Sequence, residues 1–125
     1  MRYLLDTHAV LWYFEDSDEL SPKSEEVIDN PLNCIFVSAA SLWEAAIKIG
    51  MGRLNVSFEA LLSEVENAGF TVLQTESAYL RKLIDMPQIH KDPFDRLIIA
   101  TALVEEMTLI TIDENIQKYD VSWVW

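Results

Sequence analysis

The stretch His90-Lys91-Asp92-Pro93-Phe94-Asp95-Arg96-Leu97-Ile98-Ile99-Ala100-Thr101-Ala102 constrains the fold more than any other part of the chain. Asp92 suits an N-cap, Pro93 the first helical position, and Asp95 the third, where a carboxylate can reach back to the cap. A helix therefore starts here. Leu97 to Val104 leave almost no polar face before Glu105 and Glu106, the pattern of a helix packed deep against a sheet. Its acidic mouth is then its only polar part.

Around this helix the chain alternates short apolar runs with helical patterns. Arg2 to Leu5 reads as a strand ending in Asp6-Thr7-His8, followed by a helix through Trp12, Tyr13 and Phe14. Ser21-Pro22 with Glu25 opens a second helix that runs to about Asn30 and stops at Pro31. Cys34 to Val37 is a buried-strand pattern, and a helix from about Ala39 to Ile49 follows, ended by Gly50 and Gly52. Phe58 to Ala68 has helical periodicity and closes at Gly69 before the strand Phe70 to Leu73. Glu76 to Ile84 is a short helix stopped before Pro87. After the central helix come the strand Thr108 to Ile112, a turn or short helix from Asp113, and a last strand from Val121 to Trp125. Strands alternating with helices specify an α/β fold with a mostly parallel sheet covered on both faces.

At 125 residues and 50% hydrophobic content, the chain is expected to form one domain spanning residues 1–125. No apolar run approaches the roughly 20 residues of a membrane span, and the N-terminal residues lack a signal-peptide core, so a cytoplasmic protein without a membrane partner is expected. Cys34, the only cysteine, excludes an intramolecular disulfide and a cysteine metal knuckle, and reads as a small buried hydrophobe. Met51, Met86 and Met107 read as packing residues, and Trp123 and Trp125 as core or interface aromatics. Nine Lys and Arg against 21 Asp and Glu give a formal charge of -12. Such a surface does not attract phosphate backbones as a whole, so nucleic-acid contact must be local or metal-mediated, and a basic protein partner fits more readily.

In a parallel α/β sheet, strands end and returning helices begin at one edge, where ligands bind. That topology sorts the acids. Asp6 ends the first strand, Glu44 lies in the first turns of the helix after the second, Asp92 and Asp95 open the central helix, and Asp113 follows a late strand. Each has an ordinary structural job open to it: Asp6, Asp92 and Asp95 as caps, Glu44 as an i,i+4 partner of Lys48, Asp113 in a turn. Together they are harder to explain, because crowded carboxylates repel and cannot all stay ionised without a cation. Hard oxygen ligands suit Mg²⁺ or Mn²⁺, and such a centre can activate water and stabilise a leaving alkoxide in phosphodiester hydrolysis. Lys48, Arg53, Lys91 and Arg96 are near this edge in sequence and are candidate phosphate contacts. His8 and His90 read as a helix-start residue and a loop residue, since metal-bound water needs no separate imidazole base.

These motifs resemble the PIN domain family, and within it the VapC-like toxin ribonucleases of type II toxin-antitoxin systems. The matching residues are Leu4-Leu5-Asp6-Thr7-His8, then Ser38 to Lys48 with Gly52-Arg53-Leu54, then His90 to Ala100, and finally Leu109-Ile110-Thr111-Ile112-Asp113. The resemblance implies a three-layer α/β/α sandwich on a five-stranded sheet and Mg²⁺- or Mn²⁺-dependent endoribonuclease cleavage of RNA. It puts the core acids on Asp6, Glu44 and Asp95 and a fourth on Asp113. Thr111 accompanies that fourth acid, while Asp92 and Thr7 are possible additional site residues. Ile116 departs from the Phe that relatives commonly carry there, a difference of packing. The resemblance also implies a homodimer and a small antitoxin partner, whose groove is expected around Trp12, Tyr13 and the second helix.

Other classes fit less well. A phosphorelay receiver wants an acidic pair after the first strand and a lysine after a late one, whereas Asp6 is followed by Thr7-His8 and the late strand by Asp113. A haloacid-dehalogenase-like phosphatase wants an Asp where His8 stands. A PIN nuclease of RNA processing outside any toxin pair, and a catalytically inactive PIN-fold binding module, remain as alternatives.

Overall fold

The apolar run after Met1 becomes the central strand of the sheet. In the computed structural model, which describes residues 1–125, β1 (Arg2–Leu5), β2 (Cys34–Ser38), β3 (Thr71–Leu73), β4 (Thr108–Ile110) and β5 (Trp123–Val124) pair in the order β3-β2-β1-β4-β5, all parallel. Seven helices cover the sheet: α1 (Thr7–Phe14), α2 (Pro22–Asp29), α3 (Ala39–Gly50), α4 (Phe58–Asn67), α5 (Ser77–Asp85), α6 (Pro93–Glu105) and α7 (Glu114–Gln117). The three-layer α/β/α architecture is the one the alternating pattern specifies.

Successive strand residues point to opposite faces, and this sorts the core into two halves. Tyr3, Leu5, Ile35, Val37 and Ile110 pack with Val10, Leu11, Ile28, Leu61 and Val65 from α1, α2 and α4. Leu4 and Leu109 pack on the other face with Tyr79, Ile98, Ile99 and Ile116 from α5, α6 and α7. Each fully buried Leu or Ile contributes on the order of 2 kcal/mol. Every residue from Leu97 to Ala102 is buried, because α6 packs against α3 and α5 as well as the sheet. The one hydroxyl in that run is satisfied locally, Thr101 Oγ1 donating to Leu97 O at 2.8 Å.

From β1 the chain steps outward to β2 and β3, then returns to lay β4 on the other side of β1. Connections diverge at the carboxyl ends of β1 and β4, where an open α/β sheet leaves its crevice. Helix α3 starts at this edge and packs against both α1 and α6, so it brings its own first turns to the crevice.

Three expectations are corrected. Cys34 is exposed, because it enters β2 at the strand's first position while Ile35 and Val37 turn into the core. Met51 is exposed past the end of α3, whereas Met86 and Met107 are buried. The reciprocal cap of α6 is not formed: Asp92 Oδ1 accepts from Asp95 N at 3.0 Å, but the Asp95 carboxylate turns away. At its other end α6 stops at Glu106, which sits in the left-handed region with φ 56. A non-glycine residue there costs on the order of 1 kcal/mol. Glu106→Gly is accordingly expected to stabilise the fold by about that amount in urea unfolding; a destabilised variant would show that the Glu106 side chain itself holds the turn.

Candidate metal centre

Four carboxylates reach the crevice from four elements. Asp6 follows β1 and caps α1, its Oδ1 accepting from Ala9 N at 2.8 Å. Glu44 comes from the second turn of α3, Asp95 from the first turn of α6, and Asp113 from the cap of α7 just after β4. Thr111 sits between two of them: its hydroxyl favours the ionised form of Asp6, and its Oγ1 accepts from Asp113 N at 3.0 Å. Thr7 Oγ1 donates to Ser41 Oγ at 3.1 Å, both buried, which pins the start of α1 to the start of α3. The structure thus brings together the acids that the topology sorted to one edge.

Their electrostatics are strained. Asp6 is 3% exposed, and burial pushes its carboxyl above the ordinary value; the Thr111 and Ala9 hydrogen bonds and His8 oppose this, while the charge of Asp113 adds to it. Burial raises Asp95 to about 7, reinforced by the charges of Asp92, Asp6 and Glu44 and opposed by His90. Glu44 pairs through Oε2 with Lys48 Nζ at 3.2 Å, but its Oε1 is buried with no hydrogen-bond partner. An orphaned carboxylate oxygen beside acids that raise one another's pKa fits a bound cation, and an all-oxygen donor set fits Mg²⁺ or Mn²⁺.

His90 was not assigned to the site from sequence, yet it lies inside it. Its Nε2 is 2.9 Å from Asp95 Oδ2 and 3.3 Å from Asp113 Oδ2. The candidate ligand atoms of His90, Asp95 and Asp113 all lie within 4.8 Å of one another. Asp6 and Glu44 stand outside that tight group but near enough for their charges to raise Asp95. The sequence signal for it is its place at the head of the His90 to Ala100 motif, two residues before the cap of α6.

Of the four cations expected near phosphate, Lys91 alone is exposed at the mouth of α6 without a partner. Lys48 is engaged by Glu44. Arg53 follows the far end of α3, whose last residue lies about 9 Å along the axis from Glu44. Arg96 is committed inward, its guanidinium donating to Pro87 O at 3.0 Å, Tyr119 Oη at 3.1 Å and Leu83 O at 3.3 Å. Arg53 thus lies beyond the last turn of α3, while Arg96 lines the same open cavity as His90 and Lys91 with its guanidinium already engaged.

A parallel sheet in this strand order with acids from β1, α3, α6 and the end of β4 defines a class, and the chain matches the PIN domain family over residues 3–122 and belongs to it. Within that family it is VapC-like. Ribonuclease VapC22 of Mycobacterium tuberculosis is 27% identical over 118 residues, covering 93% of this chain and 90% of that protein. VapBC2 of Rickettsia felis, solved bound to a DNA fragment from their promoter, superposes with a TM-score of 0.74 at 18% identity, over 100% of this chain and 99% of that chain. VapBC-1 of nontypeable Haemophilus influenzae superposes with a TM-score of 0.66 at 20% identity, over 99% and 97%.

The raised Asp95 carboxyl has a measurable consequence. The folded state keeps this proton up to about pH 7, whereas an unfolded chain releases it near pH 3.9, so the unfolded state binds fewer protons between those values. Through this group, raising the pH from about 4 to about 7 weakens the metal-free fold. Asp95→Asn removes the dependence, and the Tm advantage of the variant over the wild type in chelator should widen from pH 5 to pH 7.5. A gap that narrows would mean that Asp95 is stabilised as an anion.

Proposed function

We propose that this chain is a Mg²⁺- or Mn²⁺-dependent endoribonuclease and the toxin of a toxin-antitoxin pair. The observation that carries the proposal is the set of four carboxylates from separate elements, with the Glu44 Oε1 buried and unpartnered among them. Membership of the PIN domain family and likeness to a protein named ribonuclease VapC22 support the same activity. Asp6, Glu44, Asp95 and Asp113 would hold the ion. A divalent ion bound by such carboxylates supplies a water of lowered pKa and offsets charge on the phosphodiester oxygens.

The chain's own residues do the rest. The buried Thr111 hydroxyl fixes the backbone at Asp113 and favours the ionised form of Asp6, whose Oδ1 is held by Ala9 N. Asp92 caps α6 and sets the direction of Asp95 through the Asp95 N–H. Lys48 takes one oxygen of Glu44 and leaves the other to the site. Lys91 is positioned to meet a substrate phosphate, which confines attraction for RNA to one side of a strongly acidic molecule.

Likeness to VapBC complexes supports a small antitoxin as partner. A cavity of about 470 Å³ lined by Tyr13, Asp29, Asn33 and Phe70 lies beside α2, in the region expected to receive it. We further propose that the chain assembles as a homodimer. No helix is long and apolar enough to cross a membrane.

The test is cleavage of a single-stranded RNA by the purified chain with added Mn²⁺. Asp6→Asn and Asp95→Asn are each expected to lower the rate about a hundredfold or more, as loss of several kcal/mol of transition-state stabilisation requires, with unchanged circular dichroism. Retained cleavage in either variant would place the activity elsewhere. Cleavage by a chain whose expression leaves bacterial growth unaffected would favour a nuclease of RNA processing over a toxin, and a folded chain that never cleaves would favour the inactive binding module.

A further inference from the structure

We propose that His90 is a positioning residue of the carboxylate centre: its imidazole, protonated on Nε2, donates to Asp95 and Asp113 and holds the two at ligand spacing without becoming a ligand. The proposal rests on the metal-centre reading above and adds a residue to it.

The ring's two nitrogens settle the role. Asp92 N lies 3.3 Å from His90 Nδ1 and donates to it, so Nδ1 presents a lone pair. Nε2 is therefore the ring's donor, and it faces Asp95 Oδ2 at 2.9 Å and Asp113 Oδ2 at 3.3 Å. A metal-bound imidazole has the opposite arrangement, with one lone pair on the ion and the other ring N–H donating to an acceptor. Here the second nitrogen meets a donor, and ligation through Nε2 would turn that hydrogen bond into a clash of two N–H groups. A hydrogen bond to one oxygen of Asp95 leaves its second oxygen, with Glu44 Oε1, for a cation.

The loop that carries His90 is built to aim it. Residues 86–92 have no regular structure, yet the buried Tyr119 hydroxyl accepts from Ile89 N at 3.2 Å and His90 N at 2.9 Å. Arg96 locks that hydroxyl at 3.1 Å and holds the loop's entrance through Leu83 O and Pro87 O. A ring donor also suits the place, because one Nε2–H reaches both carboxylates and draws the two repelling groups together.

The experiment measures Mn²⁺ binding to the full chain by calorimetry, with electron paramagnetic resonance of the bound ion, for wild type, His90→Ala and His90→Gln. A glutamine amide N–H reaches the Nε2 position but brings no imidazole nitrogen. His90→Ala should weaken Mn²⁺ binding about 10- to 100-fold, His90→Gln should restore most of it, and the wild-type spectrum should show no imidazole nitrogen coupling. Tyr119→Phe, which frees the loop, should weaken binding in the same direction and serves if His90→Ala fails to fold. Unchanged affinity in the folded His90→Ala variant, or in Tyr119→Phe if it alone folds, would overturn the proposal. So would nitrogen coupling in the wild type with no rescue by glutamine, because His90 would then be a ligand. A wild-type chain with no saturable Mn²⁺ binding would instead sink the metal centre itself.

Discussion

The structure depends on repulsion held in place. Asp6, Glu44, Asp95 and Asp113 are drawn to one crevice by four different elements, and burial there denies their charges the screening that water gives elsewhere on this acidic chain. Such a site stands only because the remainder of the fold is stable enough to bear it. The two apolar half-cores, sorted by strand pleat onto opposite faces of the sheet, provide that stability. The strain is local and polar, and the support is distributed and apolar.

Strand order explains why the strain falls where it does. With β1 in the middle and β4 laid on the side away from β2, the carboxyl ends of β1 and β4 border the crevice directly. Asp6 and Asp113 sit at those two ends, and the Thr111 hydroxyl between them is within reach of both. Helices α3 and α6 begin at the same edge and pack together, so Glu44 and Asp95 approach from the flanks. The acids need no loop of their own, which makes their placement as rigid as the elements that end there.

Much of this was legible from residue patterns. The alternation of apolar runs and helical periods was enough for the layers, and the position of each acid relative to its element was enough for the edge. What could not be read depends on contacts between distant parts of the chain. His90 enters the site because a hydroxyl 29 residues further on holds its backbone, and no local pattern records that. Arg53 and Arg96 read as edge cations from sequence distance alone; α3 ends before the one, and three nearby acceptors engage the guanidinium of the other. Cys34 looked buried because a strand entrance and a strand interior share the same residue types, and only the register Arg2↔Cys34 shows which it is.

The most direct measurement is anomalous diffraction from a crystal of this chain grown with Mn²⁺. The peak should lie among the carboxylate oxygens of Asp6, Glu44, Asp95 and Asp113, within the roughly 2.2 Å of a hard-cation bond to at least two of them. A peak on the surface acids alone, or a crevice that stays empty at millimolar Mn²⁺ while its carboxylates hold only one another and Lys48, would contradict the metal centre.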